Sequence, residues 1–378
     1  PVLNFFFTES RLKHPPGPDV VVTPRAKRIG GAILAVIVLA LLEFVARRRM
    51  KVEMTIGEYD PYLQNALAPG TNLHVNGLGF RGEEIVPEKE LGALRIFYLG
   101  GSTFLGASVT FEETHPRLLE KRLRQQFPGR RIEVQNAANH WHTTEHSLMK
   151  YLFKIRDFRP DLVIVCHNIN DLYRSFSPPE FARPGYERDY SHFYGPVSRM
   201  VQTYFQRPPV VRVHLQCFRR LSELFGPRLF SDFRRLKETD RADLASRDSF
   251  RRNLAMLVRV LKQDGVRVVL ATEPSLYRHD LTAEEEKKLW MNKQFCVVGP
   301  RTYLGAGAMA DGMAEFNAII KEVAREEGAP LVDLDAVLPR TLEYFRDDCH
   351  YNEKGHALVA KALGDFILEN RLADDSAQ

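Results

Sequence analysis

The chain has 378 residues, of which 44% are hydrophobic and 27% charged, enough apolar side chains for a large globular core. Its net charge is +5, without a basic stripe or recognition motif, so the composition does not favour a nucleic-acid-binding protein. The four cysteines are widely spaced and form neither a CxxC pair nor a Cys/His cluster of zinc spacing. This spacing argues against a structural metal.

The first element along the chain is an apolar run. Residues 1–28, which contain several prolines, are predicted to form a flexible tail. Residues 29–46 are almost entirely small and apolar, and basic residues flank both ends. Eighteen helical residues rise roughly 27 Å, close to the thickness of the hydrocarbon core of a bilayer. The run therefore predicts a single-pass transmembrane anchor rather than a buried core helix.

No small-residue cleavage site follows this run, which ends in three arginines (47–49), so a cleaved signal peptide is not favoured. Positive charge is nearly balanced across the run, which leaves its orientation open. We expect the C-terminal domain on the extracytoplasmic side, because long domains are translocated largely regardless of flanking charge.

After a juxtamembrane connector at 47–93, a domain at 94–371 shows alternating strand and helix patterns. Buried strands are predicted at 94–99, 131–137, 161–167, 266–272 and 330–334. Amphipathic helices are predicted at 112–126, 144–157, 311–327 and 353–370. This alternation predicts an α/β fold whose central parallel sheet is covered by helices on both faces.

An insertion rich in aromatic residues and arginine interrupts the alternation at about 172–247. Connections between core elements are normally much shorter. Two interpretations stay open: a subdomain with a small core of its own, or a cap that shapes a binding site or lies against anionic lipid headgroups.

Polar residues follow the predicted strands, where ligands of open α/β sheets bind. The first strand leads into Gly100-Gly101-Ser102-Thr103, which can place a serine hydroxyl and backbone N–H groups toward an oxyanion. The same segment is also typical of an ordinary strand–helix turn with Ser102 as N-cap. After the third strand, Asn170 can donate to the same oxyanion or simply cap a helix.

The segment near the C-terminus contains Asp347 and His350, three residues apart. This spacing lets the carboxylate meet the imidazole Nδ1, so that Nε2 can take a proton from a serine. Asp348 is a weaker candidate because it lacks the three-residue spacing. The evidence for a catalytic serine is the order of the three motifs: a serine after one strand, an asparagine after another, and an Asp-x-x-His near the C-terminus.

Other histidines and cysteines near these motifs are predicted to be structural. His140, His142 and His146 do not share one helix face, so we expect local hydrogen bonds or a pocket wall rather than a metal site. His356 is predicted as a surface or packing residue of the last helix. Cys166 and Cys349 are expected to be small buried hydrophobes.

Together these segments resemble the SGNH (GDSL-like) hydrolases. Gly100–Thr103 resembles their first block, 168–171 their Gly-x-Asn-Asp block, and 347–350 their last block, while 76–82 looks like the lead-in of membrane-linked members. The resemblance spans roughly residues 75–370. It implies a flavodoxin-like three-layer α/β/α sandwich, ester chemistry through an acyl-serine intermediate, and no metal or cofactor.

By this resemblance Ser102 is the nucleophile, His350 the base and Asp347 the residue that orients it. The oxyanion hole would consist of the Ser102 and Trp141 N–H groups and the Asn170 amide. Trp141 stands where the family has a glycine, and Asn168 replaces the glycine of the third block. Tryptophan adopts a positive φ poorly and its ring is bulky, so we expect an altered oxyanion hole beside an intact triad.

The sequence thus favours a membrane-anchored SGNH serine hydrolase that cleaves short-chain or carbohydrate O-acyl esters. An O-acyltransferase that moves the acyl group to a glycan hydroxyl is the alternative, because both activities share an acyl-enzyme. A catalytically silent glycan- or lipid-binding module is a third possibility, supported only by the altered second block. The expected partners are an acylated glycan or lipid and, through residues 29–46, the membrane.

Overall fold

The computed structural model describes residues 60–176, 237–299 and 302–374, apart from residues 61, 64, 72 and 242, together with the single residue Val38. The chain divides into two units, Pro1–Val52 and Glu53–Gln378, and every element below belongs to the second. The predicted tail, the predicted anchor except Val38, and residues 177–236 of the predicted insertion lie outside the described residues. Within the described part of the chain, no helix is long and apolar enough to cross a membrane.

Strands and helices alternate along the domain, as the sequence predicts. The first part contains β1 (Leu94–Gly100), α1 (Ser102–Leu105), α2 (His115–Gln126), β2 (Ile132–Asn136), α3 (Thr144–Lys150), β3 (Leu162–Cys166) and α4 (Ile169–Tyr173). The second part contains β4 (Lys237–Thr239), α5 (Arg247–Gln263), β5 (Arg267–Ala271), α6 (Ala283–Glu286), α7 (Met291–Phe295), β6 (Val297–Gly299), β7 (Thr302–Leu304), α8 (Ala306–Glu326), β8 (Leu331–Val332), α9 (Leu334–Val337) and α10 (Glu353–Glu369).

The central sheet has five parallel strands in the order β2-β1-β3-β5-β8. All residues of β1 and β3 are buried, as expected for strands covered on both faces. Helices α2 and α10 pack together, and α5 packs against α3 and α8. The predicted α/β fold with a central parallel sheet is therefore confirmed.

The register of the sheet aligns the carboxyl ends of its inner strands. Gly100 at the end of β1 pairs with Cys166 at the end of β3, which in turn pairs with Ala271 at the end of β5. Segments that leave these strands consequently start at the same edge of the sheet. This edge carries the residues that the sequence singles out.

Three local features differ from the sequence prediction. A second small sheet, β4-β7-β6, joins short strands that show no periodic pattern. The predicted helix at 144–157 is α-helical only to Lys150 and continues as a π turn (Tyr151–Ile155) and a 3-10 turn (Arg156–Phe158). Helix α8 begins at Ala306, five residues before its predicted start, in a segment of small residues without clear periodicity.

The described part of the predicted connector packs on the domain. Phe80 is buried and meets Phe97 of β1 edge to face, with ring centroids 5.8 Å apart. The next residue, Arg81, exchanges two backbone hydrogen bonds with Asn136 at the end of β2. The lead-in segment is thereby fixed to the functional edge of the sheet.

Candidate active site

Ser102 is the first residue of α1, directly after β1 and two glycines. A Cβ at Gly100 would lie 2.8 Å from the Cys166 carbonyl oxygen, and one at Gly101 would lie 2.6 Å from the Asn170 amide nitrogen. Only glycine fits this close approach of backbone and amide. Gly101, not Ser102, is the N-cap of the helix, so the serine hydroxyl is not used as a cap.

His350 meets Ser102 across 248 residues of sequence. Its Nε2 lies 2.8 Å from Ser102 Oγ, and its Nδ1 lies 2.9 Å from both carboxylate oxygens of Asp347. The backbone N–H groups of His350 and Cys349 also donate to Asp347 Oδ1. With Nδ1–H donating to Asp347, the Nε2 lone pair faces the serine hydroxyl, the arrangement that lets the imidazole act as a base.

The charges of this pair support that role. Burial alone would lower the pKa of His350, but the hydrogen bond and charge of Asp347 outweigh it and raise this pKa above 6.5. Burial would raise the pKa of Asp347, yet the hydrogen bond from His350 lowers it to about 2. Asp347 is therefore ionised at neutral pH and His350 is a stronger base than a free imidazole.

Trp290, which the sequence analysis did not identify, contributes to the same site. It directly precedes α7, and its indole Nε1–H donates to Asp347 Oδ2 at 3.3 Å. The carboxylate thus accepts from an indole as well as from His350. No motif in the sequence indicates this contact, because it joins two segments 57 residues apart.

The predicted oxyanion-hole residues lie around the same edge. Asn170 is in α4, and its Nδ2 donates to the His142 carbonyl at 2.9 Å while lying beside Gly101. An amide nitrogen carries two N–H groups, so one bond of this kind leaves a second donor. Asn170 therefore lies next to the turn that carries Ser102.

Trp141 has a φ of 63°, in the left-handed region that favours glycine. Trp141 thus occupies a conformation that tryptophan adopts poorly. Its carbonyl accepts a hydrogen bond from Arg174 Nη2 at 3.1 Å, and its ring packs against Tyr173 with centroids 6.3 Å apart. These tertiary contacts offset the roughly 1–2 kcal/mol that a side chain costs in this backbone region.

The sequence profile of the GDSL-like lipase/acylhydrolase family matches residues 98–358. The chain belongs to this family. The matched span contains Ser102, Asn170, Asp347 and His350, which the fold brings to one edge of the sheet. The acylhydrolase matches none of the curated proteins with which it was compared.

Solved structures of esterases and a lipase are similar to this acylhydrolase. A catalytic mutant of an acetylxylan esterase from Geobacillus stearothermophilus is 14% identical, with a TM-score of 0.43 over 74% of this chain and 96% of the other. The acetyl xylan esterase AlAXEase is 12% identical, with a TM-score of 0.41 over 72% and 98% of the two chains. A GDSL-like lipase from Bacteroides thetaiotaomicron is 12% identical, with a TM-score of 0.41 over 73% and 88%. Similarities of this size carry no argument about the substrate.

Asp348 has a different environment from its neighbour in the acylhydrolase. It is fully buried and accepts hydrogen bonds from the Tyr277 hydroxyl and from the backbone N–H groups of Trp290 and Met291. Burial raises its pKa. Asp348 therefore fixes the triad segment to the loop that carries Trp290, while Asp347 faces the histidine.

A second Ser–His–Asp arrangement lies inside the acylhydrolase. Ser147 Oγ is 2.6 Å from His167 Nε2, and His167 Nδ1 is 3.9 Å from Asp171 Oδ2. The Asp–His distance is too long for a hydrogen bond, and burial lowers the pKa of His167 to about 3. All three side chains are buried. His167 is thus a poor base, whereas the pKa of His350, which contacts Ser102, is raised.

The predicted structural histidines pack in the interior. The rings of His142 and His146 stack at 4.6 Å, and His146 Nδ1 lies 2.8 Å from the Thr143 hydroxyl. Burial, followed by the charge of His350, lowers the pKa of His140 to about 4. His356 is fully buried, with its Nδ1 2.9 Å from His115 Nδ1, so the surface alternative for this residue is wrong.

One group of possible metal ligands overlaps the triad. Donor atoms of Asp347, Cys349 and His350 lie within 4.8 Å of one another. Cys349 is buried, and burial raises the pKa of its thiol. Asp347 and His350 are already paired with each other, and we assign them to the serine chemistry.

Asn168, which replaces the glycine of the third block, has a structural role. Its amide donates to the Met313 carbonyl at 2.8 Å and to the Asn317 side chain at 2.9 Å. Both acceptors belong to α8. The replacement thus joins the end of β3 to a helix of the neighbouring layer.

Proposed function

We propose that this protein hydrolyses acyl esters through an acyl-serine intermediate, with Ser102 as nucleophile. The observation that carries the proposal is the 2.8 Å contact between Ser102 Oγ and His350 Nε2, with Asp347 on the other ring nitrogen. This is the arrangement of nucleophile, base and orienting group that activates a serine.

In the proposed reaction, Ser102 Oγ attacks the ester carbonyl carbon while its proton passes to His350 Nε2. Asp347 stabilises the imidazolium that forms. When the tetrahedral intermediate collapses, the ester C–O bond breaks and His350 returns the proton to the departing alcohol. Water then attacks the acyl-serine with His350 as base again, and the second collapse releases the acid and restores Ser102.

The oxyanion of each tetrahedral intermediate is proposed to lie against the N–H groups of Ser102 and Trp141 and the amide of Asn170. Donors fixed in a site of this kind stabilise the developing charge by about 3–4 kcal/mol each. The position of Asn170 beside Gly101 supports this assignment.

The proposed substrates are short-chain or carbohydrate O-acyl esters. The Trp141 ring beside Tyr173 supports this class, because ligand sites commonly combine aromatic walls with a few placed polar groups. We further propose that residues 29–46 anchor the enzyme in a membrane with the catalytic domain on the extracytoplasmic side. The apolar run, whose one charged residue is Glu43, supports the anchor. Protection of the domain from protease added outside spheroplasts would contradict this orientation.

The deciding experiment combines p-nitrophenyl acetate turnover with fluorophosphonate labelling of the full chain. We expect a burst, steady turnover and labelling at Ser102, with loss of several orders of magnitude in Ser102→Ala. Ser147→Ala is the matched control, because it removes a buried serine that also contacts a histidine, and we expect wild-type turnover.

Two outcomes would contradict the proposal. One is a wild-type protein that shows no burst, no turnover and no labelling, and the other is full activity of Ser102→Ala. Acyl transfer to an added glycan in preference to water would identify the O-acyltransferase alternative.

A further inference from the structure

The helix that carries the nucleophile is a single turn. Helix α1 comprises only Ser102–Leu105 and ends at Gly106, which adopts a left-handed conformation with φ 69°. Helix nucleation is unfavourable, so an isolated turn of this length has no stability of its own. The direction of the Ser102 hydroxyl and N–H must therefore be fixed by groups outside the helix.

Arg81 supplies such contacts. Its Nη1 donates to the carbonyl oxygens of Leu105 at 3.0 Å and Gly106 at 2.5 Å, and its Nη2 donates to Val109 O at 2.8 Å. Its Nε donates to Leu73 O at 2.9 Å. Three of the four acceptors thus belong to the C-terminal end of α1 and the turn that follows.

Arg81 is buried, with 2% of the residue's surface exposed. Burial lowers its pKa to about 10, which leaves it charged at neutral pH. Among the described residues no carboxylate forms an ion pair with it, and its hydrogen-bond acceptors are backbone carbonyls. The C-terminal end of a helix carries partial negative charge, which favours a cation there. Backbone carbonyls therefore solvate the charge, and three of them lie at the end of α1 or in the turn after it.

Asn136 holds the same helix end from the side of β2. Its Nδ2 donates to Phe104 O at 2.9 Å and to Leu105 O at 3.3 Å. Arg81 and Asn136 are joined through their backbones by hydrogen bonds of 2.9 and 3.2 Å. Arg81 of the lead-in segment and Asn136 of β2 are thus joined to each other, and both donate to carbonyls at the C-terminal end of α1.

We propose that Arg81 is a positioning residue, which fixes α1 so that Ser102 presents its hydroxyl to His350 and its N–H to the oxyanion. The inference rests on the proposed function of Ser102. Removing the guanidinium takes the charged donor from three carbonyls at the end of α1 and in the turn after it. The Leu105 and Gly106 carbonyls then keep only neutral donors, the Asn136 amide and the Val109 N–H, so the helix is held less firmly and can shift. A displacement of about 1 Å at a reacting group costs roughly 10²-fold in rate.

The test compares Arg81→Met and Arg81→Lys with Arg95→Met. Arg95 is equally buried and makes a comparable set of bonds, to Glu133 and to the Phe158 carbonyl among others, but it lies at the opposite end of β1. It therefore controls for the general cost of removing a buried arginine. Fluorophosphonate titration counts the active serines, so that kcat and the labelling rate are expressed per labelled Ser102.

We expect Arg81→Met to lower kcat per labelled serine by roughly 10²-fold, with KM within about threefold, because substrate binding is left in place. Arg81→Lys keeps the positive charge but loses the planar set of guanidinium donors. Its kcat per labelled serine should therefore lie between those of the wild type and Arg81→Met. Arg95→Met should lower the melting temperature and leave kcat per labelled serine unchanged.

Wild-type kcat in Arg81→Met would overturn the inference, and so would an equal loss of kcat in Arg95→Met. If Arg81→Met does not fold, wild-type kcat in Arg81→Lys would overturn it equally. A wild-type enzyme that is neither labelled nor active would contradict the proposed function instead, so the two failures are distinguishable.

Discussion

The indole Nε1 of Trp290 lies 3.3 Å from Oδ2 of Asp347, so a side chain from a distant loop completes the hydrogen bonding of the triad carboxylate. This contact limits rotation of the carboxylate while His350 holds the other side. Asp347 and His350 are thereby held in place relative to Ser102.

Trp290→Phe should reduce kcat several-fold and change KM little. A hydrogen bond to a charged acceptor contributes about 1.5–3 kcal/mol, and only part of this energy serves to orient His350 through Asp347. Steady-state kinetics on p-nitrophenyl acetate measures both constants. A change confined to KM would show that Trp290 acts on substrate binding instead of on Asp347.

The pH dependence of kcat/KM should report the pKa of His350. Activity requires neutral His350, and its pKa is raised above 6.5 by Asp347. Activity should therefore fall as the pH decreases through a midpoint above 6.5. In Asp347→Asn the cause of the raised pKa is lost while burial remains, so this midpoint should move to lower pH. An unchanged midpoint in Asp347→Asn would contradict the assignment of Asp347.

Substitutions of the two adjacent carboxylates should have different effects, that of Asp347 on catalysis and that of Asp348 on stability. Asp347→Asn should lower kcat by roughly 10²–10⁴-fold. Asp348→Asn should instead lower the free energy of unfolding by about 1–3 kcal/mol, because its amide NH₂ would face a backbone N–H that Asp348 now accepts. Urea unfolding and kcat measured on the same samples check the pair. Equal effects of both variants on kcat would show that the two carboxylates share one role.

Because Trp141 has a positive φ, we expect a glycine at this position to give a more stable protein than an alanine. Both Trp141→Ala and Trp141→Gly lose the ring contact with Tyr173, but only alanine keeps a Cβ in the left-handed region. Trp141→Gly should be the more stable by about 1 kcal/mol, opposite to the usual preference for alanine. Thermal unfolding of the two variants measures the difference, and a more stable alanine variant would show that the loop relaxes to negative φ.

Buried neutral histidines should make the fold sensitive to mild acid. The pKa values of His356 and His167 are each lowered to about 3, mainly by burial. The unfolded chain binds these protons near pH 6.5, so stability is present above that pH and is lost as the pH falls below it. Each such histidine contributes a slope of up to about 1.4 kcal/mol per pH unit.

This loss should already be measurable between pH 6.5 and 5, where carboxylates are still ionised in the unfolded chain. His356→Gln should reduce the slope of unfolding free energy against pH in this interval. Equal slopes for wild type and His356→Gln would contradict the assignment.

The parts of the fold and site that the sequence predicted are those encoded locally. Strand β3 is a continuous apolar run, and Ser102, Asn170 and the Asp347–His350 pair follow strands in short recognisable segments. Parallel strand ends meet at one edge, so the meeting of these residues could be inferred without coordinates.

The remainder depends on tertiary contacts that no local pattern encodes. Trp290 reaches Asp347 only because Asp348 fixes the two loops together. Trp141 takes a conformation that its own preferences oppose, because Arg174 and Tyr173 hold it. The predicted anchor at 29–46 and its orientation stay predictions.

The two halves of the triad come from opposite ends of the domain, with the nucleophile after the first strand of the sheet and the base beyond the last. During synthesis, the serine leaves the ribosome long before its base is translated. Closing so long a loop is entropically costly and depends on the intervening strands having paired. In the proposed mechanism, Ser102 of the growing chain consequently has no base until residue 350 has been added and docked.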